Sequence, residues 1–174
     1  AVAATGARVR TLTNALEATD VPAVHAGYIG YRKALIDGGV EVYELRAEGR
    51  ARKSVNDLGI KELSKAALHA KSLAIDGHRV FIGSFNFDPR SVRLNCEMGL
   101  LIDSPAIAGG MSRWLDDNLP RAAWRVTRGS GGGLRWATEG TDGAPLTATT
   151  EPDTTMPLRI LVRVIGWLPV EWLL

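Results

Sequence analysis

Two alternating stretches, Leu68 to Ile75 and Arg79 to Phe85, flank the dipeptide Asp76-Gly77. Alternation of apolar and polar residues is the pattern of a half-buried strand, and Asp-Gly between two such runs is a strong short-range hairpin signal. This pair of strands constrains everything built around it. Residues two apart on a strand share a face, so His69 points with Lys71, and Ser84 points with Asn86. With a two-residue loop, Asp76-Gly77, His69 lies opposite Ser84. With a four-residue loop, Asp76 to Arg79, His69 lies opposite Asn86 and Lys71 opposite Ser84. Either even-length loop gathers all four side chains on one face, whereas a three-residue loop splits them.

A face carrying an imidazole, an ammonium, a hydroxyl and an amide suits a phosphate group. Lysine supplies charge, serine and asparagine supply hydrogen bonds, and histidine can attack phosphorus or move a proton near neutral pH. Phosphoryl transfer asks chiefly for positioning and for stabilisation of charge on the phosphate oxygens. No second His or Cys stands near enough in sequence to suggest a metal, and no cofactor is expected.

The rest of the chain reads as strands mixed with helices. Ala7 to Thr13 reads as a strand ending at Asn14, Val24 to Gly38 as a helix, and Val40 to Leu45 as a second strand, a β-α-β order that implies parallel neighbours. Arg46 to Lys65 is a polar, mostly basic stretch, read first as a solvated surface helix with loops and otherwise as a headgroup-facing insertion. Asn95 to Ile102 reads as a strand and Ser104 to Leu119 as a helix with Pro105 in its first turn. Ala123 to Val126 and Leu134 to Ala137 read as a hairpin across a Gly-rich loop. The expected fold class is α/β, an α/β/α sandwich with a mixed β-sheet. Residues 1–138 form the expected catalytic half-domain, 139–156 a Gly/Thr/Pro-rich linker, and 157–174 an amphipathic segment. In that last segment Arg159 and Arg163 fall on one helical face while Val162, Ile165, Trp167 and Trp172 supply apolar surface. Such a segment suits either a bilayer interface or the domain's own core.

Composition excludes several classes. A net charge of +2 and few aromatics give no basis for nucleic-acid binding. No run of about 20 uncharged apolar residues is present, so no spanning helix is expected. The single cysteine, Cys96, rules out an internal disulfide and fits a reducing compartment.

The motif His69-x-Lys71-x4-Asp76-x6-Gly83-Ser84-x-Asn86 resembles the signature of the phospholipase D superfamily without a departure. The text around it, from TLTNALEATD to LLIDSP and again at LPVEWLL, is similar to the C-terminal half of bacterial cardiolipin synthases of the C type. Such enzymes carry the motif twice, and here it occurs once. The resemblance implies covalent catalysis at a phosphodiester, with one motif His forming a phosphohistidine and the other acting as acid and base. It leaves open which of these is His69. It implies that Lys71 neutralises charge, that Ser84 and Asn86 bind phosphate, and that Glu97 orients the motif imidazole. Asp76 belongs to the motif but sits in the turn, where it is read as mainly structural. Asn14, at a strand end where α/β folds gather binding groups, is a further candidate for phosphate or headgroup contact. His25 is read as a packed or capping residue and His78 as exposed at the hairpin tip, while Arg90 pairs either with Asp88 or with phosphate.

The implied activity is phosphatidyl transfer in cardiolipin synthesis, with this chain supplying half of an active site. The implied partners are phospholipid substrates, a membrane surface, and an N-terminal half with a second His-x-Lys motif or a second copy of this chain. The implied place is the cytoplasmic side of the bacterial inner membrane, peripherally bound. Two other readings stand beside it: a single-motif nuclease active as a homodimer, and a non-catalytic membrane-binding fragment.

Overall fold

A computed structural model describes residues 3–19, 21–47, 71–85 and 95–167. His69, Asn86, Arg90 and Trp172, and most of the basic stretch from Arg46 to Lys65, lie outside the described residues. The strands that are described form two sheets in two compact units.

The first unit takes its described residues from the chain up to residue 47 and from Leu119 to 167. Strand β1 (Arg10–Asn14) leads through a short 3-10 turn, Leu16–Ala18, into helix α1 (Pro22–Asp37) and back to strand β2 (Glu41–Leu45). β1 and β2 pair in parallel, as the β-α-β reading requires, with Thr11 beside Val42 and Asn14 beside Leu45. The other pairings are antiparallel: β2 with β6 (Ala123–Arg128), β6 with β7 (Leu134–Glu139), and β7 with β8 (Pro145–Ala148). The sheet, in the order β1-β2-β6-β7-β8, is therefore mixed.

Alternation places Val42, Trp124, Val126 and Trp136 on one face, where with Ala15 they form the core against Tyr28, Leu35 and Ile36 of α1. Burying large aromatic and branched side chains is the main favourable term here, at about 1.5–3 kcal/mol for each fully buried one. The terminal helix of the described chain, Met156–Trp167, packs on α1 through a second cluster of Leu16, Ala26 and Val162, with Ile29, Leu158 and Ile165 against it.

The stretch expected as a linker is structured for much of its length. β8 adds a fifth strand to the sheet, with Thr147 beside Ala137. Glu151, beyond it, reaches into the first unit to bond Arg32. Its Gly, Thr and Pro residues concealed this, because they carry little periodic apolar signal.

The second unit holds strands β3 (Lys71–Ile75), β4 (Arg79–Gly83) and β5 (Gly99–Asp103) as an antiparallel sheet. The intervening helix α2 (Pro105–Ala122) follows β5, with Pro105 at its start as expected, and its last turn belongs to the first unit. Ordered along the chain, the helix Met156–Trp167 is α3.

Candidate active site

The motif hairpin turns through Asp76 and Gly77, which have φ of 51° and 67°. Glycine takes this left-handed conformation at no steric cost and aspartate is among the few side chains that tolerate it, which accounts for the Asp-Gly pair. His78, exposed at the tip, donates its backbone N–H to the carbonyl of Ile75 at 3.0 Å. The pairing then begins with Ile75 beside Arg79. The loop is thus the three residues Asp76, Gly77 and His78, the odd length that the even-loop argument did not favour.

This register corrects the shared-face reading. Lys71 lies beside Gly83, and Gly83 lies beside Gly99 on β5. Ser84 stands one residue beyond, so regular alternation sends its side chain to the opposite side of the sheet from Lys71. His69 and Asn86 lie outside the described residues, so the four-member face reduces here to the pair Lys71 and Ser84, and the register separates them.

The glycine of the motif has a steric cause. A Cβ on Gly83 would come within 2.6 Å of the Met98 carbonyl and 2.8 Å of the Phe81 ring, and one on Gly99 within 2.3 Å of that ring. The Phe81 ring therefore lies close over the two glycines, in the row that begins with the half-buried Lys71.

Ser84 and Glu97, by contrast, are brought together. Ser84 Oγ donates to Glu97 Oε2 at 2.5 Å and accepts the Met98 N–H at 3.0 Å, while the Ser84 N–H reaches the Met98 carbonyl at 2.9 Å. A hydroxyl shared between a carboxylate and a backbone donor is held in one rotamer, and the short charge-assisted bond is the stronger of the two. Glu97 is half-buried and engaged with the motif serine. Asn14 ends β1 beside Leu45, in the first unit.

The first unit holds a buried network that sequence reading had placed only in part. Arg32 and Glu44 are 1 % and 0 % exposed. Arg32 Nε lies 2.8 Å from Glu44 Oε1 as an ion pair, and Nη1 donates to Glu151 Oε1 at 2.6 Å. Tyr28 Oη and Trp136 Nε1 donate to the two oxygens of Glu44 at 3.0 and 2.8 Å. The guanidinium also sits 5.0 Å from the Tyr28 ring centre and 5.3 Å from that of Trp136. His25 is buried, as the packed reading expected, with Nε2 at 3.1 Å from Arg32 Nη2. A guanidinium only donates, so Nε2 offers its lone pair and the ring proton rests on Nδ1. With its lone pair used in this way, His25 is left with a 3.9 Å contact to Glu151 rather than a hydrogen bond.

Burial works against the charge of Arg32, but Glu44 and Glu151 outweigh it and hold the guanidinium's pKa above its ordinary value. Burial pushes the Tyr28 phenol up, with Glu44 adding to it. Burial works to raise Glu151, but the Arg32 guanidinium bonded to it at 2.6 Å holds it below the usual carboxylate range.

One residue the sequence reading missed is Glu17, in the turn after β1. Both carboxyl oxygens are buried and make no hydrogen bond, and the buried Trp124 Nε1 also lacks a partner. Burial, with Asp153 and Glu44 adding repulsion, pushes Glu17 up to about 7. The only sequence signal was its place three residues after Asn14, at the strand end where α/β folds put functional groups.

A family model described as "Cardiolipin synthase, PLD-like domain" matches residues 1–119. Cardiolipin synthase C of Escherichia coli (strain K12) is 43 % identical over 169 residues, covering 97 % of this chain and 36 % of that protein. An uncharacterized protein of Helicobacter pylori (strain ATCC 700392 / 26695) is 31 % identical over 156 residues, 90 % of this chain and 30 % of its own length. Cardiolipin synthase A of Yersinia pseudotuberculosis serotype O:1b is 34 % identical over 64 residues, 37 % of this chain and 13 % of that protein. The chain spans about a third of the length of the curated relatives that it matches along most of its own length.

Proposed function

Since the chain belongs to the cardiolipin synthase, PLD-like domain family, we propose that it supplies half of the active site of a phosphatidyltransferase. The observation that carries this reading is the motif, intact in the sequence, whose Lys71, Asp76 and Gly83 lie on the β3–β4 hairpin and whose Ser84 hydrogen-bonds Glu97 just before β5.

In the proposed reaction one motif imidazole attacks the phosphorus of a phospholipid and forms a phosphohistidine. The P–O bond to the leaving alcohol breaks in line, and a second imidazole gives that alcohol its proton. The same imidazole then removes the proton from an incoming lipid hydroxyl. That oxygen displaces the first histidine and forms the new phosphodiester. His69 is one of these two imidazoles, Lys71 and Asn86 stabilise charge on the phosphate oxygens, and Asn14 contacts the phosphate or headgroup. Glu97 holds Ser84, and through the motif it steadies His69. The reading makes the protein peripheral to the bacterial inner membrane, on its cytoplasmic side.

In-line displacement needs imidazoles on opposite sides of the phosphorus, and His69 occupies one side. The second imidazole comes from a half of the longer protein that carries its own motif, or from a second copy of this chain. The test is to assay phosphatidyl transfer by the isolated chain across a concentration series, and again with a separately made N-terminal half. Turnover restored on mixing, and abolished by His69→Ala, supports the reading. Full turnover by a demonstrated monomer, or a His69→Ala variant within tenfold of the parent, overturns it.

A further inference from the structure

Helix α3 has a core-facing side and an outward side, and both are apolar. Leu158, Val162 and Ile165 turn inward onto Leu16, Ala26 and Ile29. At about 100° per residue, Met156, Ile160, Val164 and Trp167 fall within an arc of about 80° on the other side, and Leu161 widens it. These five are 65, 56, 49, 87 and 50 % exposed in that order. A helix docked on its own domain normally turns polar side chains outward. The inward face has already satisfied the need for a core, so it does not account for the outward one.

The charges on the helix indicate its partner. Met156–Trp167 contains no acidic residue. Its two cations, Arg159 and Arg163, stand one turn apart along the border of the apolar stripe, and Arg163 is exposed. Among the described residues neither guanidinium has a carboxylate partner; Arg159 is half-buried, with its Nε covered and making no hydrogen bond, so Arg163 is the more accessible of the two. Unpaired cations beside an unpaired apolar stripe complement a surface of anionic headgroups over hydrocarbon. Twelve residues make a helix of about 18 Å, well short of the roughly 30 Å needed to cross a bilayer. No helix among the described residues is long and apolar enough to span.

We infer that α3 is an interfacial anchor, which lies in the plane of an anionic lipid surface with Met156, Ile160, Leu161, Val164 and Trp167 inserted and Arg159 and Arg163 at the headgroups. The choice of lipid over protein as the occupant draws on the proposed lipid substrate, but binding to vesicles is read without turnover. The two ideas therefore fail separately.

The experiment is co-sedimentation of the chain with vesicles of phosphatidylglycerol and phosphatidylethanolamine, against vesicles of phosphatidylcholine alone. The parent is expected on the anionic vesicles. The triple variant Ile160→Ser, Leu161→Ser, Val164→Ser should bind at least about tenfold less, because three inserted side chains are lost. Arg163→Glu should remove most of the preference for anionic vesicles. Should the triple variant melt early, Trp167→Ala replaces it as the probe, since a residue 87 % exposed at the helix end carries little of the fold. A loss of about threefold in binding is then expected. Unchanged vesicle binding in these variants overturns the inference. So does a parent that ignores vesicles but self-associates through this face, with the triple variant monomeric.

Discussion

Two lysine- and arginine-centred sites in this chain are built on opposite terms. Arg32 is 1 % exposed and is ringed by Glu44, Glu151, His25 and two aromatic rings. Its sheet buries Val42, Val126 and Trp136 beside it. Lys71 stands at the start of β3 in a three-stranded sheet that leaves Leu73, Ile82, Leu100 and Leu101 exposed by 42 to 67 %. The first arrangement has both partners of each charge in place and fixes a fold. The second sets a half-buried cation in a row with Gly83 and Gly99, under the Phe81 ring, in a sheet that keeps apolar side chains exposed; under the proposed function Lys71 is there for a substrate phosphate. The difference separates stability from chemistry, and substitutions can test each side.

The largest effect should come from the buried site. Arg32→Ala removes the cation shared by Glu44 and Glu151 and leaves two carboxylates in a low-dielectric core. The expected loss is about 3–5 kcal/mol, read from chemical denaturation. A loss under about 1 kcal/mol would mean that the network is solvated and would dissolve the contrast.

Lys71→Ala should do the reverse. It leaves the melting curve within error of the parent, while phosphatidyl transfer by the assembled enzyme falls about a hundredfold, as for loss of a preorganised donor to a phosphate. Loss of folding, with activity per folded molecule retained, would put Lys71 on the structural side.

The two regions were unequally legible in the sequence. The hairpin was visible because strand alternation and Asp-Gly are local signals. The parity of its loop was not, because Asp76 and Gly77 suit turns of more than one length and only the backbone path decides between them. The buried network was concealed for a different reason. Arg32 and Glu151 are 119 residues apart, and each alone resembles a surface charge. His25 was legible as a packed residue, but its partner was not. Glu17 was overlooked because a carboxylate just outside a strand ordinarily faces water, and the carboxylates that act on it, Asp153 and Glu44, are far from it along the chain.

Glu17 offers an intermediate test on the stable side, and the sign follows from linkage. Its folded pKa is raised from 4.5 to about 7, chiefly by burial. Between those values the folded chain holds a proton that the unfolded chain has released, so this group's contribution to stability falls as pH rises from about 4.5 to about 7 and is level above that. Glu17→Gln removes the group that must ionise. The variant should exceed the parent at pH 8 by on the order of 2 kcal/mol and should match it more closely at pH 5. Denaturation curves at the two pH values provide the measurement. An equal difference at both would show that Glu17 does not titrate in this range.

The smallest effect lies on the chemical side, at the bond between Ser84 and Glu97. This contact either stiffens the sheet or holds a catalytic carboxylate, and the two roles move different quantities. Ser84→Ala removes the hydroxyl that bonds Glu97 Oε2 and accepts the Met98 N–H. Both atoms are near water, so solvent can replace much of what is lost, and the cost in stability should be about 1 kcal/mol. Glu97→Gln preserves the shape and still accepts from the serine, so it should fold normally. The amide can no longer stabilise an imidazolium, so its transfer activity should drop by more than that of Ser84→Ala. A double-mutant cycle separates the roles. If Glu97 acts on the motif histidine and Ser84 only steadies it, the two substitutions couple by roughly 1 kcal/mol in activity and hardly at all in stability. Coupling confined to stability would make the pair a strand fastener, and Glu97 would then leave the proposed active site.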